Sequence, residues 1–192
     1  MRIKAFLRRY WMVACISIAF AVGLNSILLV SDVARYSKAY QEAAASLYAP
    51  PLWKQILYSG ILIPIMEEMI FRGCIYRFLR RRVPFWWSAL ISAMLFGIYH
   101  GNLVQFIYAG ICGFMLAYLY EKYRYIAVPI VAHMLMNIVV CLMSDFGGFT
   151  WVMGDTVRVV IIISGCILLT AYMFARIQKV DETPEIDILQ NC

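Results

Sequence analysis

The chain has 192 residues, of which 64% are hydrophobic and only 15% charged, with a net charge of +6. Soluble domains are about half apolar and about a quarter charged, so this composition excludes a soluble globular enzyme, a disordered chain and a disulfide-rich secreted domain. In so apolar a chain the basic excess is expected to set orientation and touch anionic lipid, not nucleic acid.

The first element is an uncharged stretch behind the basic residues Arg2, Lys4, Arg8 and Arg9. It gives a predicted span over 10–30, since a bilayer is crossed by about 20 helical residues. It is too long for the apolar region of a signal peptide and shows no small-residue cleavage site, so a signal anchor is expected. Residues 31–49 are polar and alanine-rich, which suits a short helix lying on the outer surface. The second span, 52–76, is apolar but interrupted by Glu67, Glu68 and Arg72. Spans at 84–100 and 103–120 follow, with a turn at Gly101-Asn102 between them. A fifth covers 125–144 and a sixth 157–175. The acidic tail over 177–192 is expected to be flexible. The fold class is therefore an all-α, polytopic membrane bundle of about six transmembrane helices. It forms one membrane domain over 1–192, with a catalytic core over about 52–144.

Orientation follows from the short loops. Twelve Lys and Arg fall on the side of the termini, including Arg77, Arg80, Arg81, Arg82, Lys122, Arg124, Arg176 and Lys179. Arg35, Lys38, Lys54 and Arg158 fall on the other. Both termini are expected in the cytoplasm. The aromatic pairs Tyr10-Trp11 and Trp86-Trp87 suit an interfacial belt. Of the six cysteines, Cys15, Cys74, Cys112, Cys141 and Cys166 lie in spans, and Cys192 is terminal. They show neither metal-ligand spacing nor a disulfide framework, and the end of the chain lacks a prenylation signal.

Five ionisable groups remain inside the spans: Glu67, Glu68, Arg72, His100 and His133. Charge at the centre of a membrane helix costs about 2.5–3.5 kcal/mol per residue, so such groups face the bundle interior and mark a site. Glu68 and Arg72 are four apart and can pair on one helix face. Glu67 is turned about 100° away and has no partner on its own helix. An unpaired buried carboxyl near other polar helices has the character of a general base or a metal ligand. Pro64, one turn earlier, frees the Gly60 carbonyl and can kink the helix. His133 and Asn137 share a face, and Asn137 offers an amide donor suited either to a developing oxyanion or to an interhelical hydrogen bond. By helix rise, Glu67 lies about 15 Å from Arg77, His133 ~12 Å into its span and Asn137 ~18 Å. These three can meet near the midplane. The same arithmetic leaves His100 near the outer end of its span, and only a tilted or shortened helix brings it back.

The pattern Glu67-Glu68-x-x-x-Arg72, then Phe96-x-x-x-His100, then His133-x-x-x-Asn137 resembles the EExxxR, FxxxH and HxxxN motifs of the CPBP intramembrane protease family. That family includes the type II CAAX prenyl endopeptidases and the bacterial Abi proteins. The resemblance covers residues 60–140. It implies an intramembrane endopeptidase in which Glu67 activates water, His100 assists, His133 and Asn137 polarise the scissile carbonyl, and Glu68 and Arg72 hold the site in shape. His100, His133 and Glu67 also form a conceivable Zn2+ set with an open position for water, beside a metal-free acid–base reading. Two imidazoles and a carboxylate converging in lipid favour a cation. The implied substrate is a peptide or membrane-protein segment, and the implied setting peptide maturation or bacteriocin self-immunity in a bacterial plasma membrane. The competing readings are an inactive immunity or sensor-partner protein and a haem-binding or ion-conducting protein. Oligomeric state is not legible.

Overall fold

The computed structural model describes residues 2–179, with side chains from Tyr10 onward. The tail beyond Lys179, Cys192 and the side chains of Arg2, Lys4, Arg8 and Arg9 lie outside the described residues. In chain order the helices are α1 (Arg2–Val30), α2 (Val33–Tyr36), α3 (Lys38–Tyr48), α4 (Leu52–Gln55), α5 (Ile63–Glu68), α6 (Arg77–Arg80), α7 (Phe85–Tyr99), α8 (Leu103–Tyr123), α9 (Ala127–Asp145), α10 (Gly148–Met153) and α11 (Thr156–Gln178). Two π-helical stretches, π1 (Ile56–Leu62) and π2 (Met69–Tyr76), join α4, α5 and α6 into one unbroken run over 52–80. No strand occurs among the described residues.

The molecule is a polytopic helical membrane bundle. Four stretches are long and apolar enough to cross a bilayer: Tyr10–Val30, Leu103–Tyr123, Ala127–Asp145 and Thr156–Gln178. The run over 52–80 and the shorter apolar α7 complete the six expected elements. The sixth is longer than its predicted span. It continues through Gln178 because Ile177 is buried against the core and Lys122 Nζ donates to Gln178 O at 3.0 Å. Local chemistry sets several ends. Asn102 accepts the Gln105 N–H to start α8, and Asp155 accepts the Arg158 N–H to start α11, each meeting one of the unpaired donors of a helix start.

The core lies between α1, α8 and α9. Met12, Val13 and Ile16 meet Leu116, Leu119, Ala132 and Met136 there, closed by Met173 and Ile177 of α11. The helix α7 packs along α8, and π1 lies against α9. The inner face of the run over 52–80 is thereby enclosed by α7, α8 and α9.

Candidate functional site

Pro64 shapes the helix that carries the acids. Its ring displaces the carbonyl four residues back, and it has no N–H to contribute. The backbone answers by widening, so that Ile63 N–H bonds Tyr58 O, five residues earlier. A second wide segment, π2, follows Glu68. Such insertions re-aim side chains and cluster at functional sites. Between them, α5 presents Glu67 and Glu68, both buried.

Glu68 is the centre of a fully buried network. Its Oε1 accepts from Arg72 Nη1 at 2.7 Å and from His133 Nδ1 at 2.9 Å. Arg72 Nη2 donates to Gly113 O at 2.8 Å. The expected Glu68–Arg72 pair is therefore present, and it has an unforeseen third member in His133. Gly113 makes room for it. A Cβ there would stand 3.0 Å from both Arg72 Nη2 and Phe96 Cδ1.

Glu67 approaches the same imidazole from its other edge. Its Oε2 lies 3.7 Å from His133 Nε2, both side chains being less than a tenth exposed. That separation is too long for a direct hydrogen bond. His100 caps the C-terminus of α7, and its Nδ1 lies 2.8 Å from Phe96 O. A carbonyl only accepts, so Nδ1 carries the proton and Nε2 of the neutral ring carries the lone pair. Phe96 stands edge-on to both imidazoles, with centroids at 4.8 Å from His100 and 5.8 Å from His133. The Arg72 guanidinium lies 4.8 Å from the Phe96 ring centroid.

A cavity of about 360 Å³ is bordered by Glu67, His100, His133 and Asn137 together. The position of His100 is explained by the length of α7. Its 15 residues rise only about 22 Å, and Gly101 at φ 78° then turns the chain back. The short helix thereby ends at the cavity, with His100 beside the others.

Two features escaped sequence reasoning, and one expectation for Asn137 is met. Tyr40, Ala44, Leu47 and Tyr48 of α3 line the cavity, so this helix roofs it as well as lying at the surface. Its end is fastened by Gln55 Nε2, which donates to Tyr48 O at 3.2 Å and Pro50 O at 2.8 Å. On the wall supplied by α1 and α8, Asn25 Nδ2 donates to Tyr108 OH at 2.6 Å, and both residues border the cavity. A lone amide inside an apolar span was the available signal, because polar side chains in membrane helices seek partners on other helices. Finally, Asn137 Nδ2 donates to Ser59 O at 2.8 Å, the interhelical bond that was one of its two readings. Among the described residues the second amide hydrogen carries no such bond.

Among the described residues no three His, Cys, Asp or Glu side chains are grouped closely enough to hold a metal ion. The Nδ1 atoms of His100 and His133 are engaged by Phe96 O and Glu68, which leaves the Nε2 atoms as the remaining ring nitrogens, and the Phe96 ring packs against both imidazoles.

Fold and site together define a multi-pass helical membrane protein with a carboxylate–imidazole cavity enclosed by its spans. In comparison with known proteins, residues 49–139 match the family described as type II CAAX prenyl endopeptidase Rce1-like. It is 36% identical over 137 residues to the "Putative membrane peptidase YdiL" of Bacillus subtilis (strain 168), covering 70% of this chain and 55% of that protein. It is 27% identical over 126 residues to the "Uncharacterized protein YpbD" of the same organism, covering 62% of this chain and 65% of that one. The chain thus spans about half the length of the first relative and just under two thirds of the second. No solved structure matches. The matched segment contains Glu67, Glu68, Arg72, His100, His133 and Asn137.

Proposed function

We propose that this protein is an intramembrane endopeptidase that hydrolyses a peptide bond in a peptide or membrane-protein segment, in a bacterial plasma membrane. One observation carries the reading: Glu67, His100, His133 and Asn137, from α5, α7 and α9, border one cavity although up to 70 residues of sequence separate them. The match to an endopeptidase family supports it.

Glu67 acts as general base and takes a proton from a water molecule. The resulting hydroxide oxygen bonds to the scissile carbonyl carbon. The lone pair of His100 Nε2 accepts the water's other O–H and so aims the attacking oxygen. Charge develops on the carbonyl oxygen, where the remaining Asn137 N–H donates. His133 borders the same position, its Nε2 3.7 Å from Glu67 Oε2. When the C–N bond breaks, Glu67 returns its proton to the leaving amine. Preorganised donors of this kind stabilise charge more strongly in a water-poor site than in bulk solvent. Every step runs through side chains. Peptide maturation and bacteriocin self-immunity are the two biological settings the family resemblance offers for such an activity.

The test is hydrolysis of a panel of quenched fluorescent peptides by the purified protein in lipid nanodiscs. Glu67→Gln and His100→Ala should each lower the rate by about 10²–10⁴-fold, the usual worth of a positioned acid–base group, with the amount of folded protein unchanged. Wild-type rates in Glu67→Gln would overturn the assignment.

A further inference from the structure

A second polar cavity lies at the basic end of the bundle, away from the candidate active site. We propose that it binds the phosphate of an anionic lipid headgroup. The cavity, of about 420 Å³, opens between the end of the run over 52–80 and the C-terminal end of α8. Arg77, Arg80 and Arg81 border it from one side, Arg124 from the other, with Tyr76 and Glu121 between.

Glu121 organises this site. Its Oε1 accepts from Arg80 Nε at 3.1 Å, Arg80 Nη2 at 3.0 Å and Arg124 Nη2 at 2.7 Å. Its Oε2 accepts from Tyr76 OH at 2.5 Å. The carboxylate is 17% exposed, whereas Arg80 is 34% and Arg124 50% exposed. One sheltered carboxylate therefore holds two guanidinium groups, those of Arg80 and Arg124, at the cavity. Arg80 Nη1 and Arg124 Nη1 make no hydrogen bond among the described residues, and Arg81 makes no hydrogen bond or ion pair among them. Fixed guanidinium forks with unused N–H groups are the geometry that takes phosphate oxygens.

The backbone adds an independent observation. Arg124 sits at φ 53°, ψ 24°, just past the end of α8. Glycine is the usual residue there, because a side chain is strained in that conformation. An arginine kept in a glycine conformation, with its guanidinium on the cavity, indicates that the charge is used. A positive-inside bias explains why arginines are abundant in these loops. It does not explain why arginines 40 and more residues apart converge on one cavity around one acid.

The level of the cavity selects a lipid over a soluble anion. Trp86 and Trp87, in the first turn of α7 just beyond the Arg80–Arg82 segment, are 67% and 60% exposed on the outside of the bundle. Tryptophan so placed marks the headgroup region, and basic pockets at that level on the cytoplasmic side take lipid headgroups.

The experiment uses the full chain in nanodiscs of phosphatidylcholine with and without phosphatidylglycerol. It reads retained phosphatidylglycerol by native mass spectrometry and the thermal unfolding midpoint. The wild type should retain phosphatidylglycerol and unfold at a higher temperature when it is present. Arg81→Gln and Arg124→Gly should each weaken retention by about fivefold, the factor one basic side chain is worth near an anionic surface. Both should fold normally in phosphatidylcholine alone, since Arg81 has no partner to lose and glycine suits the backbone at 124. Retention equal in wild type and both variants would overturn the proposal. So would an equal midpoint shift from millimolar inorganic phosphate in phosphatidylcholine discs, which would make the ligand a soluble anion.

Discussion

Replacing Glu68 by Gln tests the network beneath the site. The substitution preserves shape but removes the charge that Arg72 and His133 share. Arg72 Nη1 and His133 Nδ1 both bond the one oxygen Oε1, and the side chains of Glu68 and Arg72 are completely buried. Arg72 keeps Gly113 O but no counter-charge. Removing one partner of a buried ion pair costs about 3–5 kcal/mol, whereas replacing both by apolar residues of similar volume is often neutral or stabilising. Glu68→Gln should therefore lower stability by about that amount, and the double variant Glu68→Leu/Arg72→Met should recover most of it. Reversible unfolding in mixed detergent micelles, followed by tryptophan fluorescence, measures both. A single variant as stable as the wild type, or a double variant no better than the single, would refute the view that a stranded guanidinium dominates the loss.

Other outcomes follow from the same geometry. Gly113→Ala should destabilise by about 1–3 kcal/mol through overpacking, because the new Cβ would lie 3.0 Å from Arg72 Nη2 and Phe96 Cδ1; the same unfolding titration reads it. Asn137→Ala should lose both the rate contribution of its free N–H and about 0.5–1.5 kcal/mol of stability from the bond to Ser59 O. An unchanged unfolding midpoint in Asn137→Ala would show that this bond is worth nothing to the fold. Peptide hydrolysis should survive exhaustive chelation, and complete loss restored only by added Zn2+ would overturn the side-chain mechanism.

The spans were readable because charge is scarce in this chain, so most connections announce themselves by Lys or Arg and the Gly101-Asn102 turn by its residue types. The six site residues were readable for the same reason: ionisable groups and a lone Asn stand out against apolar helices. What escaped was tertiary. Sequence places Glu68 and Arg72 on one face but cannot show that His133, 65 residues later, shares the same carboxylate oxygen. It shows Pro64 but not that the backbone widens to a π-helix around it. Residue types do not reveal that Phe96 packs against both imidazoles while their Nδ1 atoms are engaged by Phe96 O and Glu68. Asn25 and Tyr108 were overlooked because neither ionises near neutrality and neither falls in a motif. The roofing role of α3 was hidden because the helix reads as a surface element, and only its neighbours show that its Tyr40 and Tyr48 border the cavity.

The length of α7 has a consequence for the surrounding membrane. A 15-residue helix falls well short of a hydrocarbon slab about 30 Å thick, and lipid beside a short segment responds by thinning. The bilayer should therefore be dimpled next to α7, drawing hydrated headgroups towards His100. A peptidase of the proposed kind would need a supply of water inside the bilayer, and hydrophobic mismatch along one flank would offer a route for it.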